Sequence, residues 1–158
     1  MSSIRAWRIT KTRYAAQAFD GKGARLAGGR WNSPGTPLVY TSSSASLATL
    51  EILVHLGNSS ILGSYSLVWC ELDASLSRPL DRSLLPKRWR SSPPPPEVQA
   101  LGDRWVADAA SAVLEVPSVV IPDESNYLIN PSHPDFRRIR VGQPRPLEID
   151  SRLIGGRG

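Results

Sequence analysis

Cysteine is nearly absent from this 158-residue chain: Cys70 stands alone, which excludes an internal disulfide and any multi-cysteine zinc site. Histidine is as scarce, with only His55 and His133, so metal ligands are few and no metal site is expected. No uncharged apolar run approaches the ~20 residues that a membrane span requires; Ile52 to Val54 is typical. The opening MSSIRAWRIT puts Arg5 and Arg8 where a secretion signal needs apolar residues. These absences together lead to the expectation of a reduced, cytoplasmic protein without a cofactor of its own. Several motifs are missing too. There is no G-x-S-x-G elbow, P-loop, H-E-x-x-H or glycine-rich dinucleotide fingerprint in a strand–helix setting, and no zinc-finger, helix-turn-helix or RNP pattern.

Lysine is rare where arginine is not, 3 against 16, and the net charge is +5. Composition bias accounts for much of that excess. A functional account requires an anionic partner: nucleic acid, a phosphorylated small molecule or an acidic protein. Arginine suits such partners because its planar fork matches phosphate and carboxylate, which the point charge of lysine does not. The hydrophobic fraction of 41% and charged fraction of 21% are ordinary for a folded chain. The length suits one domain, residues 1–158.

Residues 4–9 alternate as a short strand, and the glycine-rich stretch Phe19 to Gly35 reads as loops and tight turns. Leu38 to Thr41 is β-prone. SASLATLEILVHLG reads as a helix with Ser44 at its start and Gly57 at its end, and Ser64 to Leu72 as a strand. The polar, proline-rich stretch from about 85 to 96 closes in SSPPPP and predicts an exposed connector. A helix is expected from Pro96 with Val98, Leu101, Trp105, Ala109, Ala112 and Val113 at helical spacing. Val116 to Pro122 predicts a strand, residues 126–136 turns, and Phe136 to Val141 and Pro146 to Ile149 closing strands. The order lacks βαβ alternation, so α+β is the expected class.

Glu51 is the most informative residue. At about 100° per residue it lies on one helical face among Leu47, Leu50 and Val54, and Ile52 and Leu56 make the helix apolar nearly all round. A carboxylate buried there needs a partner: either a salt bridge to an arginine, or a role in a dry catalytic cleft. In Gly28-Gly29-Arg30-Trp31-Asn32, two glycines let backbone approach a ligand that Arg30 could grip bidentately; as a bare pattern this is also a common turn. Tyr40 reads either as a half-buried core ring or as a ring offered to a ligand. Ser118 reads either as a hydroxyl bonded to local backbone or as part of a site with Asn126. His55 is expected in the core and His133 in a rigid turn.

GGRWNSPGTPLVYTSSSASLATLEILVHL followed by VPSVVIPDESNYLINPSHPDF closely resembles the RES domain, the toxin half of bacterial RES–Xre toxin–antitoxin pairs. The resemblance runs over essentially the whole chain, from about Ile4 to Leu153; the proline-rich segment lies outside its motifs. It implies that Arg30, Glu51 and Ser118 are the name-giving catalytic residues, with Ser125 and Ser132 standing near as alternatives to Ser118. It further implies a fold similar to diphtheria-toxin-type ADP-ribosyltransferases and destruction of NAD⁺, a substrate rather than a cofactor, at its nicotinamide–ribose bond by hydrolysis or phosphorolysis. Arg30 and Arg8 would meet the pyrophosphate, Tyr40 the nicotinamide ring, and Asn126 the ribose or carboxamide. An Xre-type antitoxin would be the partner, in a hetero-oligomeric complex, and nucleic acid would be reached only through it. Two other functions compete: a mono-ADP-ribosyltransferase acting on a host protein, and a basic nucleic-acid-binding module. The basic charge prompts the last, but the arginines are scattered, although locally dense at Arg78–Arg90 and Arg137–Arg145, and it ranks well below the enzyme reading.

Overall fold

Alternation along the first residues builds β1 (Ser3–Lys11), the strand against which the site is assembled. A computed structural model describes residues 2–56 and 64–154. The elements then follow as α1 (Lys22–Ala27), β2 (Val39–Ser42), α2 (Ala45–His55), β3 (Tyr65–Asp73), β4 (Ser77–Pro79), α3 (Pro96–Asp108), β5 (Val113–Pro117), β6 (Ser125–Ile129), β7 (Arg140–Val141) and β8 (Arg145–Pro146). The strands form one mixed sheet in the order β4-β5-β6-β2-β1-β3-β7, with β8 also paired to β3. Only β4 and β5 run parallel. The class is α+β, as expected. No helix among the described residues is long and apolar enough to cross a membrane.

The period-2 pattern divides the core between the two faces of this sheet. One face carries Ala6, Val39, Val68, Cys70, Leu72, Val113 and Ile129. The other is covered twice: α3 packs Val98 and Trp105 over Leu114, Val116 and Leu128, and α2 lays Ala48 and Ile52 over Trp7, Ile9 and Leu67. Burial pushes the Cys70 thiol up to about 12, against the weaker pull of a backbone hydrogen bond at Ala6.

One irregularity in the sheet makes the site. β1 and β3 stay in register from Ser3–Asp73 to Lys11–Tyr65, whereas β1 and β2 share only the pair Trp7–Ser42. Beyond that pair the two strands diverge. The Arg8 guanidinium crosses the gap and donates from Nη1 to the Tyr40 carbonyl at 3.1 Å, where a ladder bond would otherwise lie.

Several expectations need correction. The glycine-rich stretch contains the one-and-a-half-turn α1, framed by Gly21 and Gly28 at φ 75° and 73°; six residues are too few to display a helical period. α2 starts at Ser44, whose Oγ accepts the Leu47 N–H, and the stop expected at Gly57 lies outside the described residues. That helix is not buried all round: it covers the sheet on one side only, so Leu47, Ala48 and Thr49 are buried while Leu50 and Val54 are 39% and 64% exposed. His55 is exposed and not a core residue. α3 ends at Asp108, and Ala109 takes a left-handed conformation, so Ala112 and Val113 owe their apolarity to the sheet. The strand expected at 116–122 is β5, set three residues earlier, and Ser118 begins the loop after it. Residues 125–129 form β6, an interior strand between β5 and β2, its alternation masked by neighbouring turn formers. Phe136 lies in a 3₁₀ turn, Pro134–Arg138, and the closing strands shrink to two residues each.

The contact that seats α3 is unusually close. A Cβ on Gly102 would lie 1.7 Å from the Trp31 carbonyl oxygen. Elsewhere in a helix Gly→Ala adds roughly 0.5–1 kcal/mol of stability; here we expect Gly102→Ala to remove at least about 2 kcal/mol, because backbone must yield. Urea unfolding checks the sign, and a neutral or stabilised variant would show that α3 slides freely over Trp31.

Candidate active site

The divergence of β1 from β2 opens a cavity of about 830 Å³, within the range of roughly 300–1,000 Å³ that small-molecule sites occupy. Five segments wall it: Trp7 to Ile9 and Tyr40 to Ser42 from the sheet, Gly28 to Trp31 from the glycine turn, Glu51, Ile52 and His55 from α2, and Arg90, Ser92 and Pro94 from the proline-rich segment. Val119, Val120 and Asn126 complete it. The proline-rich segment is therefore not a plain exposed connector. Pro94 and Pro95 are half-buried, and Pro94 lines the cavity.

Glu51 is anchored by one oxygen. Its Oε1 accepts from Ser118 Oγ at 2.7 Å and from Asn126 Nδ2 at 2.8 Å. Ser118 is fully buried, and its Oγ also accepts the N–H groups of Val120 and Ile121 at 3.1 and 3.0 Å. With its acceptor sites filled by those two amides, the hydroxyl proton can only point at Glu51. Ser118 thus bonds local backbone, and by doing so it aims the carboxylate that Asn126 also holds. Among the described residues Oε2 accepts no hydrogen bond and no arginine pairs with Glu51, so the salt bridge weighed from sequence is not formed. Asn126 stands in register with Ser42, and Ser42 with Trp7, so the three side chains share one sheet face beneath α2. Its Oδ1 is buried without a hydrogen-bond partner. Ser125 and Ser132 make no bond to Glu51 among the described residues.

Arg30 is held from behind. Its Nη1 donates to the carbonyls of Trp89 and Ser91 at 2.9 and 2.8 Å, leaving Nη2 and Nε for the cavity. Burial lowers its affinity for the proton, and the nearby Glu51 charge works against that. The turn carrying it is knotted by Asn32, a residue whose role the sequence reading missed. Buried Asn32 donates from Nδ2 to the carbonyls of Ala24 and Thr36, and its Oδ1 accepts the Tyr40 hydroxyl at 2.6 Å. The same hydroxyl accepts the Trp31 N–H at 3.0 Å. Gly29 sits on that phenol so closely that a Cβ would meet its oxygen at 2.6 Å. Tyr40 therefore joins a structural hydroxyl to a ring that lines the cavity, and desolvation drives its ionisation well above the ordinary tyrosine range.

Arg8 also lines the cavity, desolvated, with Asp20 the charge that partly offsets burial. Its Nε is sealed from water without a partner. The two unpartnered buried polar atoms found among the described residues, one on Arg8 and one on Asn126, thus belong to residues of the same cavity. His133 lies elsewhere in the turn expected of it: Nδ1 accepts the Asp135 N–H, and Nε2 donates to the Ala109 carbonyl. The sequence reading also missed Trp7, His55 and Arg90 as cavity residues. Trp7 is signalled by alternation next to Arg8, and His55 by its i+4 spacing from Glu51; nothing local marks Arg90.

Which serine supports the site is open to a stability measurement. We expect Ser118→Ala to cost about 1–3 kcal/mol, since two amides and a carboxylate lose their common partner. Ser125→Ala and Ser132→Ala should stay within about 0.5 kcal/mol. Equal losses in urea unfolding would remove Ser118 from its special place.

Residues 5–150 match the family model described as the RES domain. A protein called Toxin Res from Yersinia enterocolitica is 39% identical over 148 residues, covering 93% of this chain and 97% of the relative. Another Toxin Res, from Photorhabdus laumondii, is 36% identical over 149 residues, covering 94% and 96%. A protein called Prs ADP-ribosylating toxin from a Sphingobium species is 38% identical over 156 residues, covering 94% and 95%. Among solved structures, a chain of the Mycobacterium tuberculosis MbcT–MbcA toxin–antitoxin complex superposes with a TM-score of 0.74 at 19% identity, over 92% of this chain and 85% of that one.

Proposed function

The chain belongs to the RES domain family, and from that premise we propose that it is the toxin of a toxin–antitoxin pair and acts by cleaving the nicotinamide–ribose bond of NAD⁺. The observation that carries this reading is the asymmetric Glu51: one carboxylate oxygen fastened by Ser118 and Asn126, the other unbonded, in a cavity lined by Arg8, Arg30 and Arg90. That arrangement suits a substrate with a diphosphate and a centre that becomes positive. As the C–N bond breaks, nicotinamide leaves with the bonding electrons and C1′ of the ribose takes on oxocarbenium character. Glu51 stabilises that charge and accepts a ribose hydroxyl. Water then adds and loses a proton, giving ADP-ribose; inorganic phosphate in its place gives ADP-ribosyl phosphate. Nicotinamide is a neutral leaving group from a cationic ring, so no general acid is required.

The remaining roles follow from position. The unused Nη2 and Nε of Arg30 form a fork for the diphosphate, with Arg8 behind it. The Tyr40 ring offers a face to the nicotinamide, and the unpartnered Asn126 Oδ1 accepts from the ribose or carboxamide. Ser118, buried behind Glu51, acts through it. On this reading the fold is of the diphtheria-toxin ADP-ribosyltransferase type and the enzyme works in the cytoplasm, where NAD⁺ is held. An Xre-type antitoxin keeps it silent by covering the cavity. The positive net charge favours an acidic partner and a fast encounter. The name of the Sphingobium relative supports a second reading, transfer of ADP-ribose to a protein.

Incubating the purified chain with NAD⁺, with and without phosphate, separates these. Nicotinamide release without a protein acceptor is the expected result, and turnover that requires an added acceptor would favour transfer. Glu51→Gln should lose at least about 10²-fold in rate with its fold intact; full activity in that variant would make Glu51 structural. Arg30→Lys should bind NAD⁺ about 10- to 100-fold more weakly by calorimetry, because a point charge cannot replace the fork. Unchanged affinity would remove Arg30 from the diphosphate.

A further inference from the structure

The root of the proline-rich segment touches both halves of the site. The carbonyls of Trp89 and Ser91 hold Arg30 Nη1. Between them Arg90 reaches the other way, and its Nε and Nη2 both donate to the Val119 carbonyl, at 3.0 and 2.8 Å. Val119 directly follows Ser118, whose Oγ carries the Val120 and Ile121 amides and donates to Glu51. Three consecutive residues thus bridge the Arg30 turn and the Glu51 loop. The bridge has a firm base. Consecutive tight turns close from the Trp89 N–H to the Pro86 carbonyl and from the Ser91 N–H to the Arg88 carbonyl, and the Trp89 ring packs 6.3 Å from that of Trp31.

Arg90 also lines the cavity, so direct contact with a substrate phosphate is the rival role. Two of its three nitrogens are already committed to one carbonyl, which favours the mechanical role. We propose that Arg90 is a positioning residue: it fastens the Val119 carbonyl, thereby the Ser118 loop, and through Ser118 the Glu51 carboxylate, while the carbonyls on either side of it aim Arg30. The kinetic part of this inference rests on the reading of Glu51 given above; the mechanical part does not.

The test uses the full chain, Arg90→Ala, Ser118→Ala and the double variant, with NAD⁺ as substrate and residue-resolved hydrogen exchange. Arg90 is exposed, so the thermal midpoint of Arg90→Ala should stay within about 3 °C. Exchange at Val120 and Ile121 should accelerate at least about tenfold while that of the β6 amides is unchanged. kcat should fall about tenfold with KM within about twofold, and in the Ser118→Ala background Arg90→Ala should add less than about twofold. Unchanged exchange at the two amides overturns the clamp, whatever the kinetics. A loss confined to KM, or one that multiplies with that of Ser118→Ala, overturns it in favour of a phosphate contact. Failure of the unaltered chain to cleave NAD⁺ overturns the functional reading instead, and the exchange result still decides the clamp.

Discussion

The hydrogen bond from Ser118 Oγ to Glu51 Oε1 is the interaction on which the rest of the site depends. A hydroxyl that already accepts two backbone amides has one direction left for its proton, and an acceptor must stand there. An ionised carboxylate is the best acceptor available, and charge assistance makes such a bond roughly twice as strong as a neutral one. Glu51 is therefore held in place without being neutralised by an arginine. That distinction matters chemically. A salt bridge would consume the charge that the proposed cleavage requires, whereas serine and asparagine orient it and leave Oε2 open.

The cavity itself comes from a conflict within the sheet. A regular ladder between β1 and β2 would close the cavity, and the two strands share a single registered pair. The Tyr40 carbonyl left unpaired by the divergence takes Arg8 instead. The same economy recurs around the cavity. Arg30 bonds two carbonyls of the proline-rich segment, Arg90 bonds the Val119 carbonyl, and Asn32 ties the Ala24 carbonyl of α1 to the Thr36 carbonyl across the glycine turn. Irregular backbone that walls the site is thus satisfied by side chains, from another stretch for Arg30 and Arg90 and from within the turn for Asn32, so these walls are stiff although they are loops. Arginine serves this well because, after two donors are engaged, others remain for a ligand.

Local signals were legible and long-range ones were not. The Ser44 cap, the alternation of β1 and β3, and the helix start at Pro96 each depend on residues a few positions apart. β6 was hidden because Asn126, Asn130 and Pro131 are turn formers by propensity, yet Asn126 is in a strand since its amide is required by Glu51 and its backbone by β2 and β5. The buried helix expected around Glu51 was a wrong inference from a right pattern. Leu50 and Val54 are apolar, but α2 has sheet beneath only one side.

By itself the sequence determined the class, the absence of an internal disulfide, the turn bearing Arg30, the helix bearing Glu51 and, through whole-chain motifs, the family. Those depend on composition and on spacings of a few residues, which local backbone geometry converts directly into structure. Only the tertiary structure decided that Ser118 rather than Ser125 or Ser132 supports Glu51 across 67 residues, and that Asn126 joins it across 75. It alone made Arg90, in what reads as a connector, part of the wall. Such bonds depend on strand register and on the direction a loop takes after its last ladder pair, and the whole sheet must assemble before either is defined.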